Sequence, residues 1–178
     1  MSAMIGDMLF LAQAEHQLIR PEQVEVDLGA EVVALFEYFE AWAEERGVGL
    51  QSVGKAARIR GDRAMLRRAL SNLLSNAIRH TAAGATVTVR FGSDPSGGLE
   101  VCVENPGADI AAEHLPHLFD RFYRVDPSRQ RNGEGAGLGL AIVRSIAEAH
   151  GGSVGAMSTA GRTRFCMRLP APASTAWH

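Results

Sequence analysis

Four polar residues recur within nine positions: Asn72, Asn76, Arg79 and His80. On a helix they share one face, opposite an apolar stripe of Leu66, Leu70, Leu73, Leu74, Ala77 and Ile78. Asparagine competes with the helix backbone for hydrogen bonds, so two of them stacked beside Arg and His need a reason. An amide oxygen is a hard ligand of the kind that suits Mg²⁺, and a guanidinium suits phosphate. Taken alone, the face reads as solvated surface before it reads as a ligand site.

A second stretch, Gly133-Glu134-Gly135-Ala136-Gly137-Leu138-Gly139-Leu140, leads into a helical pattern. Glycines let backbone approach a phosphate closely, and a helix N-terminus adds unpaired N–H groups and a favourable dipole. No Lys-Ser/Thr follows, so this is not a Walker A loop; no strand directly precedes it, so it is not the dinucleotide fingerprint. A flexible loop before a helix explains the run equally well. The third stretch, Leu118-Phe119-Asp120-Arg121-Phe122-Tyr123-Arg124, reads by itself as an amphipathic half-turn.

Elements must hold these three stretches together. Asp27 caps a helix over about 28–46, whose expected buried side is Val32, Val33, Leu35, Phe36, Phe39 and Trp42. Short strands are expected near 50–53 and 58–60, and Asp62 caps a long helix over 63–81. Alternation over 86–91 and 99–104 around the turn 93–98 predicts a hairpin. A helix over 137–150 and two strands near 153–157 and 164–169 complete an α+β chain.

The asparagine helix, then Val103-Glu104-Asn105-Pro106-Gly107-Ala108-Asp109-Ile110, then Phe119–Arg124, then the glycine run, come in one order. The series resembles the N, G1, F and G2 boxes of the ATP-binding domain of sensor histidine kinases, a family shared with gyrase-type ATPases. The phrase 115–129 is similar to the copper/silver and heavy-metal sensor kinases in particular. The resemblance implies a two-layer α/β sandwich: a mixed, mostly antiparallel sheet, three helices on one face, and a mobile lid over about 111–136. It implies binding of ATP with Mg²⁺ and transfer of the γ-phosphate to a histidine on a companion domain. Asn76 then stands as the Mg²⁺ ligand and Asn72 as its partner beside the phosphates. Arg79 contacts phosphate, and His80 packs near the adenine. Phe119 and Phe122 anchor the lid, and Arg124 reaches the γ-phosphate, so Arg124 and Asn72 are the catalytic residues. Gly135, Gly137 and Gly139 supply the phosphate loop, with Leu138 and Leu140 beside them. Gly107 and Ile110 join the nucleotide contacts, and Thr163 sits near the adenine.

The chain departs from that pattern in two places. Asn105 stands where the family usually has Asp, leaving a neutral acceptor for the adenine amino group, weaker than a charged one. Asp109 replaces the second glycine of the G1 box. Both motivate the alternative of a degenerate, nucleotide-free docking module of the same fold. A gyrase-type ATPase would need a general-base Glu on the asparagine helix; Ser75 precedes Asn76 and that face holds none. The six histidines all lack the phosphoacceptor context of a following acidic and basic residue before proline. The apolar stretch 4–14 resembles the end of a dimerisation helix, so residues 1–20 are expected to be its remnant, 27–170 the catalytic domain and 171–178 a tail. The expected partners are that dimerisation domain and a response regulator, within a membrane-anchored homodimer whose catalytic part is cytoplasmic.

Composition bounds the rest. The 178 residues carry 46% hydrophobic and 21% charged side chains, values of a globular chain. No apolar run reaches membrane-spanning length, and the first residues do not read as a signal peptide. A net charge of -2 argues against nucleic acid as a partner. Cys102 and Cys166, only two, are expected to form no disulfide framework and no zinc site, in a reducing compartment.

Overall fold

Two aspartates start the two long helices of the core. In a computed structural model describing residues 2–56, 58–126 and 136–171, α2 spans Leu28–Glu45 and α3 spans Arg63–His80, after α1 at Ser2–Glu15. The Asp27 carboxylate accepts from the Ala30 N–H at 3.0 Å and Asp62 from Met65 at 3.0 Å, satisfying donors that a helix start leaves open. The strands are β1 Val24–Asp27, β2 Gly49–Val53, β3 Arg58–Gly61, β4 Thr86–Ser93, β5 Leu99–Pro106, β6 Ser153–Thr159 and β7 Arg162–Leu169. A short 3₁₀ turn at Leu115–His117 and helix α4 at Gly139–Ala149 lie between β5 and β6.

Five strands form one sheet in the order β2-β4-β5-β7-β6, in which only β2 and β4 run parallel. This is the mixed, mostly antiparallel sheet with helices expected from sequence. Strands β1 and β3 pair separately as a two-stranded antiparallel ribbon. Strand β1 went unread in the sequence because it is four residues long, and only Val26 among them is buried.

Alternation divides the sheet into two faces. Leu99, Val101 and Val103 of β5 and Phe165, Met167 and Leu169 of β7 join the leucine stripe of α3 in one core. Their neighbours Glu100, Cys102, Glu104, Arg164, Cys166 and Arg168 share the opposite face. There Glu104, 4% exposed, meets Arg164 at 2.6 Å, Arg162 at 2.9 Å and Arg90 at 3.3 Å. Burial pushes its carboxyl up, but the bonds from Arg164, Arg90 and Arg162 outweigh that and lower it to about 2.

Two expectations need correction. Cys102 and Cys166 face each other in the β5–β7 register and are joined by a disulfide, so two cysteines do crosslink the sheet. Counting cysteines misses this, because pairing depends on which strands become neighbours. Val33 is 54% exposed rather than buried; the inward face of α2 runs through Leu28, Glu31, Val32, Leu35, Phe39 and Ala43. The segment 111–126, expected as the first part of a mobile lid, makes these contacts: Leu118 and Phe119 are buried, and Arg121 reaches the Leu11 carbonyl at 3.2 Å and Glu15 at 3.1 Å. The remainder of that lid, 127–135, lies outside the described residues.

Helix α1 is held to the body by Leu11, 2% exposed, and by an ion pair of Asp7 with Arg68 at 2.5 Å. Its Met4, Ile5, Met8 and Leu9 remain exposed. Among the described residues no helix is long and apolar enough to cross a membrane.

Candidate functional site

The stripe that buries α3 also aims its other face. Leu66, Leu70, Leu73, Leu74, Ala77 and Ile78 are each at most 1% exposed, which fixes the rotation of the helix. That rotation puts Asn72, Ser75, Asn76, Arg79 and His80 along one wall of a cavity of about 540 Å³. Arg46 holds the far end of this wall, donating to the carbonyls of Ile78 at 3.3 Å and Arg79 at 2.9 Å where α3 runs out of backbone partners.

The opposite wall is the glycine loop. Gly137, Leu138, Gly139 and Leu140 line the cavity, and α4 begins at Gly139 with no side chain capping it. Its first-turn N–H groups therefore lack intrahelical partners beside the cavity, the arrangement that binds anions. The Asn72 amide donates to the Gly139 carbonyl at 3.2 Å, joining the two walls. Gly137 sits at φ +75°, and a Cβ there would lie 3.2 Å from the Phe122 backbone. The Phe122 N–H donates to the Gly137 carbonyl at 3.0 Å, so the loop and the 118–124 segment are laced together. Glycine is required here by backbone angle and by space.

The floor is the end of β5. Asn105, 4% exposed, faces Thr163 across the β5–β7 ladder, and both line the cavity. The Asn105 amide nitrogen donates to the Pro106 carbonyl at 3.3 Å, which leaves its oxygen as the acceptor to offer. Thr163 shares a 2.8 Å hydrogen bond with Ser158, and Ser158 accepts from the Ile110 N–H at 2.8 Å. Asp109, one of the two departures from the family pattern, accepts from the Gly161 N–H at 2.9 Å. That bond ties the 106–110 loop to the β6–β7 turn, so the carboxylate has a local structural task.

Most residues singled out from sequence converge. Asn72, Asn76, Arg79, His80, Asn105, Gly107, Ile110, Arg124, Gly137, Leu138, Gly139, Leu140 and Thr163 all line the one cavity. Phe119 and Phe122 do not. Phe119 is buried and meets Phe165 edge-to-face at 6.0 Å, whereas Phe122, at φ +61°, is 56% exposed. Tyr123 lines the cavity in its place, its hydroxyl 2.6 Å from His114. Gly135 lies outside the described residues. Sequence reasoning missed Tyr123, Leu118, Ser75 and Asp7 as lining residues. Asp7 carries no local signal, since only the docking of α1 brings it near.

Residues 61–173 match the family described as histidine kinase-, DNA gyrase B- and HSP90-like ATPases. The chain is 57% identical over 171 residues to the sensor histidine kinase CusS of Escherichia coli K12, covering 96% of this chain and 35% of CusS. It is 46% identical over 176 residues to the probable sensor kinase SilS of Salmonella typhimurium, again 96% of this chain and 35% of the relative. The chain thus spans about a third of the length of the curated relatives it matches. Among solved structures, full-length ShkA in complex with AMPPNP superimposes with a TM-score of 0.79 at 26% identity, over 96% of this chain and 36% of that one. With the family matched over most of the chain and the sheet, helices and cavity in place, this chain belongs to the histidine kinase-, DNA gyrase B- and HSP90-like ATPases, as the kinase catalytic domain of the sensor histidine kinase branch.

Proposed function

We propose that the cavity binds ATP with Mg²⁺ and that the domain donates the γ-phosphate to a histidine on a companion dimerisation domain. One observation carries this reading: an asparagine-bearing helix face and an uncapped helix start form opposite walls of one cavity whose floor ends in a buried amide. The donor set fits. Phosphates would lie along the N–H groups at the start of α4, with Arg79 and Arg124 as cationic partners. Adenine would lie over Asn105 and Thr163, its amino group donating to the Asn105 oxygen. The Asn76 oxygen would hold Mg²⁺ and Asn72 would position the loop. Bound Mg²⁺ would neutralise charge that develops on the phosphates.

Phosphoryl transfer asks for little beyond position and charge, so the site needs Mg²⁺, an arginine and backbone N–H groups more than a nucleophile of its own. On this reading the acceptor histidine and a membrane anchor belong to a longer kinase, and a separate response regulator takes the phosphate onward. The similarity to CusS and SilS supports a metal-responsive kinase whose catalytic part lies in the cytoplasm.

Titration calorimetry with a non-hydrolysable ATP analogue and Mg²⁺ tests the reading. Binding is expected at micromolar to millimolar concentration, weakened by the neutral Asn105 acceptor. No heat at millimolar ligand would leave the docking module as the better account.

A further inference from the structure

The Cys102–Cys166 bond lies where the fold has no need of a staple. Strands β5 and β7 already pair over eight residues, and the two cysteines sit inside that ladder rather than at its end. Their Sγ atoms lie on the face turned away from the leucine core; Cys102 and Cys166 are each 4% exposed, and the neighbouring Arg90, Arg164 and Arg168 side chains are 37–42% exposed, so a thiol reaches the sulfurs only when these side chains move. The separation of 64 residues encloses the G1 loop, the 118–124 segment, the glycine loop, α4 and β6, which is most of the cavity.

Charged side chains flank both sulfurs. Cys166 shares its face of β7 with Arg164 and Arg168, whereas Cys102 shares its face of β5 with Glu100 and Glu104 and has Arg90 opposite on β4. Arg164 and Arg168 are themselves bonded to Glu104 and Glu100, so neither sulfur is singled out by charge, and the exchange step has a mirror image with the two cysteines exchanged. The Glu100 carboxylate lies within 4.8 Å of both sulfurs, but it is bonded to Arg168 at 2.6 Å. That bond and the neighbouring cations disfavour a cation at the sulfurs.

We propose that Cys102 and Cys166 are a reversible thiol-oxidation site whose disulfide stiffens the two strands that hold Asn105 and Thr163. Those residues stand three positions along the same strands, on the opposite face. The exchange partner is a monothiol of the glutathione class. Its thiolate bonds to Cys102 Sγ, the protein S–S bond breaks, and the electron pair stays on Cys166. A second monothiol attacks the mixed disulfide, freeing Cys102 and leaving the small disulfide. Two electrons pass from the two small thiols to the pair, and their two protons end on the protein thiols. With the bond open, the strands keep their ladder but lose their covalent tie, and a ligand must then order more of the floor on binding. The effect on nucleotide affinity rests on the reading of the cavity as an ATP site; the exchange chemistry does not.

The test equilibrates the folded full chain in glutathione buffers from reducing to oxidising, then traps free thiols by alkylation and counts them by mass. Affinity for ATP with Mg²⁺ is measured at both ends, beside a Cys102→Ser/Cys166→Ser variant, and amide exchange is followed over 99–106 and 162–169. The expected result is reversible titration without unfolding, at least about threefold weaker nucleotide binding in the reduced form, and a variant indifferent to the buffer. Thiols that react only after denaturation, or equal affinities in both forms, would overturn the proposal. If neither form binds ATP, the nucleotide reading fails by itself, and equal amide protection in the two redox states still overturns the stiffening.

Discussion

Acidification provides a quantitative test of the charge ladder on the open face of the sheet. Glu104 has its carboxyl lowered from 4.5 to about 2, because the bonds from Arg164, Arg90 and Arg162 outweigh the cost of burying it. A folded value below the unfolded one means the carboxylate stabilises the fold fully above pH 4.5, and that this contribution drains away as pH falls toward 2. The gap corresponds to about 3 kcal/mol at about 1.4 kcal/mol per unit. Solvent around the arginines, of which Arg162 is 65% exposed, trims that to about 2–3 kcal/mol. The assay is urea unfolding at intervals from pH 6 to pH 2, in parallel with Glu104→Gln. The wild type should lose about 2–3 kcal/mol more than the variant across that window, and the two curves should converge at its acid end. Curves that stay parallel from pH 6 to pH 2 would refute the assignment of the acid sensitivity to Glu104.

Other consequences follow from the same geometry. Asn76→Ala should abolish Mg²⁺-dependent nucleotide binding while leaving the unfolding midpoint within about 0.5 kcal/mol, because Asn76 lies off the leucine stripe and its loss opens no cavity there; calorimetry with and without Mg²⁺ reads the first part and urea unfolding the second. The purified chain should acquire no acid-labile label from radioactive ATP, since its six histidines lack the acceptor context, and autoradiography of alkali-quenched samples before and after acid treatment checks this. Gly54→Ala should cost at least about 2 kcal/mol by urea unfolding, because Gly54 sits at φ +89° and a Cβ there would lie 2.1 Å from the Phe91 carbonyl oxygen.

What the sequence disclosed depends on how local each signal is. The caps at Asp27 and Asp62 were legible because a capping carboxylate acts on an N–H three residues away. The face of α3 was legible because period and stripe lie in one segment. Strand β1 was hidden by its shortness, and the disulfide by the fact that β5 and β7 are joined through some sixty residues of intervening chain. Phe122 stands apart for a different reason. The family resemblance, not the spacing, implied two lid anchors; the backbone turns left-handed at Phe122, its N–H meets the Gly137 carbonyl, and the residue is 56% exposed.

That turn also explains why the site is assembled from distant parts of the chain. An asparagine face alone is solvated surface, and a glycine run alone is a loop. The bond from Asn72 to the Gly139 carbonyl joins them, and the bond from the Phe122 N–H to the Gly137 carbonyl joins the loop to the 118–124 segment. Each link uses backbone on the glycine side; at Gly137 a Cβ would combine a left-handed φ of +75° with a tight 3.2 Å approach to the Phe122 backbone, whereas at Gly139 it would meet Asn72 at an ordinary 3.9 Å. The position of Gly137 is therefore set by protein contacts as well as by any phosphate. A variant that adds a methyl group at Gly137 should accordingly loosen the 118–124 segment even when no nucleotide is present.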